Sequence, residues 1–176
     1  ILNNSTLSDA DLSQAILRGA SFKEANLGAK QLGFIGPSPA RLVGADLQEA
    51  IFSGANLKGV NFREANLTNA IFKNASMGGS ILEWAKAKGS DFSSARLTWV
   101  LAYGADFQDA SFKGAKLVSA QFVGSNLKGA KFQGANLTRA NLSNCNLQDV
   151  EFKNSEIDEA LFYSAKNVPA EIKKDR

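Results

Sequence analysis

The sequence contains few of the residues from which catalytic and metal sites are built. Its 176 residues include no histidine and a single cysteine, Cys145. One cysteine cannot form an intrachain disulfide, and without histidine no Cys/His ligand set for a metal can be assembled. Cys145 also has no histidine to activate it as a nucleophile, so we interpret it as a buried, unreactive thiol. We therefore expect no metal and no cofactor.

Long apolar runs are absent as well. A membrane-spanning helix needs about 20 apolar residues, and no stretch of this sequence approaches that length. The sequence begins at Ile1 rather than at Met, and a single cysteine leaves the redox compartment open. A cytoplasmic location is favoured. The periplasm or a thylakoid lumen is the alternative if a leader precedes Ile1.

What the sequence does have is a five-residue period. Every fifth residue from Leu2 to Phe162 is Leu, Phe, Ile or Met, except at Pro37, Ala87 and Ala102. The residue two positions before each of these centres is usually Ala. A helix turns about 100° per residue, so a five-residue step would spread these side chains over every side and bury none. An extended chain keeps both positions inward if every fifth residue makes a corner.

The corners and the number of faces also leave a trace in the sequence. The residue two after the centre is often Gly or Asn, the types that tolerate the positive φ of a type II turn. Centre phenylalanines recur every twenty residues, at Phe52, Phe72, Phe92, Phe112, Phe132 and Phe152. A second set, Phe22, Phe62, Phe122 and Phe162, is expected two faces away. Four faces are the simplest solution, and about eight coils would form a rod about 40 Å long.

These repeats carry a family resemblance. Ala25-Asn26-Leu27, Ala45-Asp46-Leu47, Ala55-Asn56-Leu57, Ala65-Asn66-Leu67 and Ala135-Asn136-Leu137 are similar to the A(D/N)LXX motif of pentapeptide-repeat proteins. The resemblance covers roughly residues 2 to 166 and implies an all-β fold, a right-handed quadrilateral parallel β-helix. It also implies a bacterial, notably cyanobacterial, setting in which many members have no known function. One subset of the family resembles B-DNA in shape and charge and binds type II topoisomerases.

Two stretches depart from the repeat. Residues 30–39 place Pro37 at a centre, so this segment of the 1–166 β-helix is either looped out or forms two irregular faces. Residues 167–176 have a cap-type Asn, an early Pro and late lysines, the order expected of a short helix. We predict that this C-terminal segment caps the last coil, whose open edge would otherwise attract another chain.

No enzyme is expected, because carboxylates on a convex rod do not converge in a cleft. Asp106 and Asp109, for example, are interpreted as solvated surface residues rather than as an acid/base pair. The favoured function is a non-catalytic scaffold for a protein partner, the usual role of a rigid repeat rod. A second copy of the chain, in a homodimer, is an alternative partner, and nucleic acid is not favoured as a partner. The alternative is a topoisomerase-binding DNA mimic or a binder of anionic polymers, although the net charge of +3 disfavours mimicry.

Two surfaces are candidates for binding. Under a twenty-residue coil an apolar patch is predicted at Ile81, Trp84, Trp99, Leu101 and Tyr103, and Val123 continues it. A basic band is predicted on two adjoining faces, at Lys58, Lys73, Arg96, Lys113, Lys116, Lys131 and Arg139, with Lys153 beyond it. The acids Asp46, Glu49, Glu64, Glu83, Asp106 and Asp109 are expected on the other two faces. The band is open to two interpretations, solubility or attraction of phosphate, an anionic membrane or an acidic protein.

Overall fold

The computed structural model describes residues 1–29 and 38–173. Over these residues the backbone forms single-residue parallel bridges between successive coils rather than continuous strands. Bridges such as Asn61–Ile81 and Ile81–Leu101 join residues twenty positions apart. Because the repeat has five residues, each coil has four sides. We call them faces A to D: residues 50–54 lie on face A, 55–59 on B, 60–64 on C and 65–69 on D, and later coils repeat this order.

One coil is longer than the others. The bridges Asp11–Arg41, Ile16–Asp46, Ser21–Ile51 and Asn26–Asn56 join residues thirty positions apart. Ten residues are therefore added between Asn26 and Arg41 relative to a regular coil. The predicted irregular segment falls mainly on residues 30–37, which lie outside the described residues. The added ten residues shift the register of everything before them by two faces.

This shift corrects the predicted position of Phe22. The ring of Phe22 stacks on Phe52 with centroids 4.7 Å apart and planes within 5°. Phe22 therefore belongs to face A, not to the face of Phe62, where an unbroken twenty-residue count placed it. The count was wrong here because the ten extra residues preserve the five-residue period but change the face by half a coil.

Hydrogen bonds account for the backbone amides of a repeat. The centre Phe52 donates to the carbonyl of Ile71 in the next coil (2.7 Å), and the corner Gly54 donates to Lys73 (2.9 Å). Ile71, the bridge residue, donates back to Ala50 (2.9 Å). The small residue Ala55 donates to the carbonyl of Phe52 (3.0 Å) and so closes the turn within its own coil. Each repeat is thereby fixed to both neighbouring coils, as buried backbone groups require.

The remaining amide explains the Asp or Asn of the repeat motif. The amide of Arg63, just after the centre, donates to Oδ1 of Asn61 (2.9 Å), and that of Thr138 donates to Oδ1 of Asn136 (3.0 Å). Asp and Asn are the side chains that accept such bonds two residues along the chain. The motif residue before the centre thus satisfies the one amide that neither the ladder nor the turn uses.

The core is a stack of apolar columns. On face A the rings of Phe52, Phe72, Phe92, Phe112, Phe132 and Phe152 stack in turn, at centroid distances from 4.7 to 5.3 Å. Phe62 and Phe122 on face C meet this column edge to face. Both arrangements are favourable geometries for aromatic pairs. The alanines of the repeat fill the narrower positions and are almost fully buried from Ala40 to Ala140.

The corners adopt left-handed backbone whatever their residue type. Corner residues with φ between 53° and 66° include Asn74, Glu64, Arg139 and both tryptophans. Gly and Asn occupy such positions at little cost, whereas a bulky residue there is unusual. The repeat geometry therefore imposes the left-handed conformation at every corner. Gly and Asn are frequent there because they adopt this conformation at the lowest cost, but they are not required.

After the last repeat, residues Ala170–Lys173 form a short helix, α1. Ile172 is 4% exposed and its amide donates to the carbonyl of Pro169 (3.1 Å), while Val168 packs against the core. A search of the described residues finds no helix long and apolar enough to cross a membrane.

Candidate protein-interaction surface

The predicted apolar patch lies on face C. Ile81 and Leu101 form a parallel bridge, so their side chains occupy consecutive levels of one outward column. In the neighbouring outward column Tyr103 follows Glu83, and Val123 follows Tyr103 one coil later. The Val123 carbonyl accepts from the amide of Gly104 (3.0 Å). Ile81, Leu101, Tyr103 and Val123 are all partly exposed. Face C thus presents a short apolar strip on a rigid hydrogen-bonded ladder.

Trp84 lies at the corner where face C meets face D. Its side chain is exposed (58%), and its backbone has φ +57°. The indole covers Gly104 at the same corner one coil later, so closely that a β-carbon on Gly104 would overlap the ring. The backbone is held too, since the Trp84 amide donates to the carbonyl of Tyr103 (3.0 Å). The ring is therefore exposed but supported along one side.

Trp99 lies at the opposite corner, where face B meets face C. It is 60% exposed, has φ +57°, and its amide donates to the carbonyl of Val118 (3.0 Å). Among the described residues the two indoles make no ring contact with each other. The two tryptophans of the predicted patch therefore flank face C from its two edges, and the outward side chain of Leu101 lies on the face between those edges.

Sequence reasoning missed the extent of the uncharged surface. Outward residues of face C in segments 100–104, 120–124, 140–144 and 160–164 include no Asp, Glu, Lys or Arg. Two of them, Leu161 (38% exposed) and Tyr163 (71% exposed), are large and apolar and lie in the last coil. The signal was available in the sequence, because these residues follow Leu101 and Tyr103 at multiples of twenty. The predicted patch covers only the first of these segments, near the tryptophans.

The basic band occupies faces A and B. Lys73, Lys113 and Lys131 lie on face A, while Lys58, Arg96, Lys116 and Arg139 lie on face B, and all seven are exposed. The opposite side is mixed rather than acidic. On face D one bridge column contains both signs of charge, in the order Asp46, Asn66, Lys86 and Asp106. On face C Glu83 lies 3.7 Å from Arg63.

Two members of the band are already paired. Lys73 lies 3.3 Å from Asp91. Burial alone would raise the pKa of Asp91, but hydrogen bonds from Ser93 and the charge of Lys73 outweigh it and lower the pKa. Arg139 lies 2.9 Å from Glu159, whose pKa is lowered by the hydrogen bond from Arg139 and by its charge.

The remaining cations of the band are not paired in this way. In the part of the chain that the structure describes, Arg96, Lys113, Lys116 and Lys131 make no side-chain ion pair. Arg96 and Lys116 also form a parallel bridge, so two positive charges lie on consecutive coils.

Cys145 lies inside the coil at a small inward position. It is fully buried, and its thiol donates to the carbonyl of Phe122 (3.0 Å). Burial raises the pKa of the Cys145 thiol to about 12. Within residues 1–29 and 38–173 no group of three or more Cys, Asp or Glu residues could hold a metal ion.

The columns, corners and faces define a β-solenoid with a filled core and four outward faces, and comparison with known sequences identifies its family. A model of the pentapeptide repeat region matches residues 88–162, and a model of pentapeptide repeats matches residues 1–28 and 40–79. The chain belongs to the pentapeptide-repeat family. No curated protein matches it significantly.

Solved structures are similar to this chain to different degrees. A trypsin-treated form of QnrB1, a plasmid-mediated fluoroquinolone resistance protein, aligns with a TM-score of 0.55 at 19% identity, over 94% of this chain and 82% of that chain. HetL, a protein involved in heterocyst differentiation regulation from the cyanobacterium Nostoc, aligns with a TM-score of 0.25 at 24% identity, over 94% of this chain and 88% of its own. The alignment with QnrB1 supports the right-handed quadrilateral β-helix.

Proposed function

We propose that this protein is a non-catalytic scaffold that binds a protein partner through face C. The solenoid would comprise about eight coils, closed at its C-terminal end by the helix Ala170–Lys173. The observation that carries the proposal is the pair of exposed tryptophans, Trp84 and Trp99, at the two edges of one ladder face. Tryptophan is the residue type most enriched among side chains that dominate interface energies.

The rigidity of the corners strengthens this assignment. Both tryptophans have a left-handed backbone, and the amide of each donates to a carbonyl of the next coil. A side chain whose backbone is already ordered loses less conformational entropy on binding than one on a flexible loop. Between the two rings, Leu101 and Tyr103 supply apolar surface that a partner can cover. Face C carries few cations among its described residues, which suits a protein better than a polyanion.

The experiment replaces both tryptophans with asparagine, a residue that the fold already accepts at corners such as Asn69 and Asn144. We expect the variant Trp84→Asn, Trp99→Asn to keep its circular dichroism spectrum and lose partner binding or self-association by analytical ultracentrifugation. Glu49→Asn is the matched control, because it changes an exposed corner residue of face D with φ +60°. Unchanged binding and self-association in the folded double variant would remove the proposal.

The topoisomerase-binding alternative rests on a different surface. A DNA mimic requires rows of carboxylates, whereas faces A and B between residues 56 and 139 carry the seven cations of the basic band and one acid, Asp91. This alternative stays a prediction and is the less favoured one. A gyrase supercoiling assay separates the two, because a mimic inhibits or protects the enzyme, while a face C scaffold leaves supercoiling unchanged.

A further inference from the structure

The unpaired cations of the basic band lie beside Trp99. Arg96 is three residues before Trp99 on face B, and its bridge partner Lys116 occupies the next coil. Like charges at paired positions of neighbouring strands destabilise a sheet. In the described ranges no carboxylate pairs with either side chain, whereas Lys73 and Arg139 of the same band have acids within 3.3 Å. Arg96 and Lys116 thus belong to the cations of the band that no carboxylate pairs with in the described residues, together with Lys113 and Lys131, and they are the two that lie on face B next to the Trp99 corner.

The other side of the same edge is apolar. The chain turns at Trp99 and enters face C at segment 100–104, whose outward residues Leu101 and Tyr103 are uncharged. The nearest charge on face C is Glu83, one coil before Tyr103, and it lies 3.7 Å from Arg63. Trp99 thus separates two exposed cations from an uncharged apolar strip. A ligand that lies across this edge meets positive charge on one side and apolar surface on the other.

We propose that the partner of this edge is an acidic, amphipathic polypeptide segment. Its carboxylates would lie against Arg96 and Lys116, and its apolar side chains would cover Trp99 and Leu101. This inference rests on the proposed function of face C and specifies the chemistry of the partner. Carboxylates would neutralise charges that the fold leaves unpaired, and complementary charge favours both orientation and rate of association.

Two other classes of anionic ligand fit the edge less well. Lipid-binding clusters usually contain four to eight adjacent cations, while this edge offers Arg96 and Lys116, with Lys113 on the neighbouring face. Single-stranded nucleic acid requires aromatic side chains repeated along a basic groove. Here Trp99 is the one aromatic residue at the edge of a convex face, and its neighbours on face C are apolar.

The test uses a displayed library of random peptides panned against the protein. We expect the enriched peptides to combine Asp or Glu with large apolar residues. Their affinity is then measured in a Trp84→Phe background, where Trp99 is the sole tryptophan and its fluorescence reports contact at the edge. Arg96→Glu with Lys116→Glu should weaken binding by about tenfold or more, as expected for truncated charge pairs at an interface.

The matched control is Lys86→Glu with Lys88→Glu, an identical charge change on the exposed part of face D. It should change affinity by less than about threefold, the scale of long-range screening effects. Enrichment of no peptides, of peptides without an acidic bias, or of peptides whose affinity is unchanged by Arg96→Glu with Lys116→Glu would overturn the inference. Peptides of the last two kinds that still need Trp99 would leave the proposed function of face C intact.

Vesicles containing phosphatidylserine and duplex DNA complete the comparison. If either ligand shifts the Trp99 fluorescence more strongly than the enriched peptides, and loses that effect in the Arg96→Glu, Lys116→Glu variant, the edge recognises a membrane surface or nucleic acid. The acidic-polypeptide inference then fails. Weak binding that the face D control reduces equally reflects overall charge and also counts against it.

Discussion

Truncation of Phe112 to alanine tests the packing of the core most directly. The ring is 1% exposed and stacks between Phe92 and Phe132 at centroid distances of 5.1 and 4.9 Å. It also meets Phe107 and Phe122 edge to face at 5.4 and 5.7 Å. Removing a buried phenylalanine typically costs about 3 to 5 kcal/mol. We expect the upper part of this range, because the hydrogen-bonded coils cannot close around the cavity.

The assay is thermal unfolding followed by circular dichroism. For a chain of this size, each kcal/mol shifts the midpoint by about 2 to 4 °C, so Phe112→Ala should lower it by about 6 to 20 °C. Lys113→Ala changes the adjacent exposed residue and should stay within about 0.5 kcal/mol. Phe152→Ala is an intermediate case, since Phe152 stacks on one side only, at 5.3 Å from Phe132. Equal midpoints for Phe112→Ala and Lys113→Ala would refute the inward and outward assignment.

Three further predictions concern glycine, serine and cysteine positions. Gly104→Ala and Gly124→Ala both place a side chain at positive φ, which should lower the free energy of unfolding by about 1 kcal/mol. Gly104→Ala should lower it further and also alter tryptophan fluorescence, because its β-carbon overlaps the indole of Trp84. In urea unfolding, Ser80→Ala should raise the free energy of unfolding by about 1 kcal/mol, because in the described structure the buried Ser80 hydroxyl has no hydrogen-bond partner. Ser90→Ala should lower the free energy of unfolding, because it removes a 2.6 Å hydrogen bond to the carbonyl of Ala87. Effects of the same sign would contradict this reasoning. Burial raises the pKa of the Cys145 thiol from 9.0 to about 12. The contribution of the neutral thiol to the free energy of unfolding is therefore complete below pH 9.0 and declines between pH 9.0 and about 12. Cys145→Ala should make the free energy of unfolding fall less steeply with pH over that window.

The periodic part of the structure follows from the sequence because each repeat obeys one constraint. A centre, a small residue and a corner in every five positions predict inward columns and turns, and the spacing of Phe52 and Phe72 predicts the four faces. The exception at Phe22 shows the limit of this reasoning. A ten-residue addition keeps the five-residue period, so nothing in the local pattern reveals that the face has changed. Only the bridges on either side of the addition, such as Asp11–Arg41, define the register.

The candidate site was less predictable, for a physical reason. Periodicity assigns a residue to a face and a level, but not the direction in which a long side chain leans. The indole of Trp84 leans along the corner and covers Gly104 rather than extending towards Trp99. Likewise, the sequence places Lys73 and Arg96 on one band without showing that Asp91 neutralises the first and that no acid pairs with the second in the described structure. Side-chain pairing decides which of the cations are available to a partner.

The uncharged stretch of face C is not a by-product of the repeat. Charged residues make up 21% of the chain, and almost all of them occupy the three outward positions of each five-residue repeat. If the four faces were equivalent, about a third of the outward positions on each face would therefore be charged. Segments 100–104, 120–124, 140–144 and 160–164 of this face supply twelve such positions, and none is charged. The backbone ladder makes the same demands on all four faces, so the repeat does not account for this absence of charge, whereas a protein partner that covers the stretch, as proposed, does.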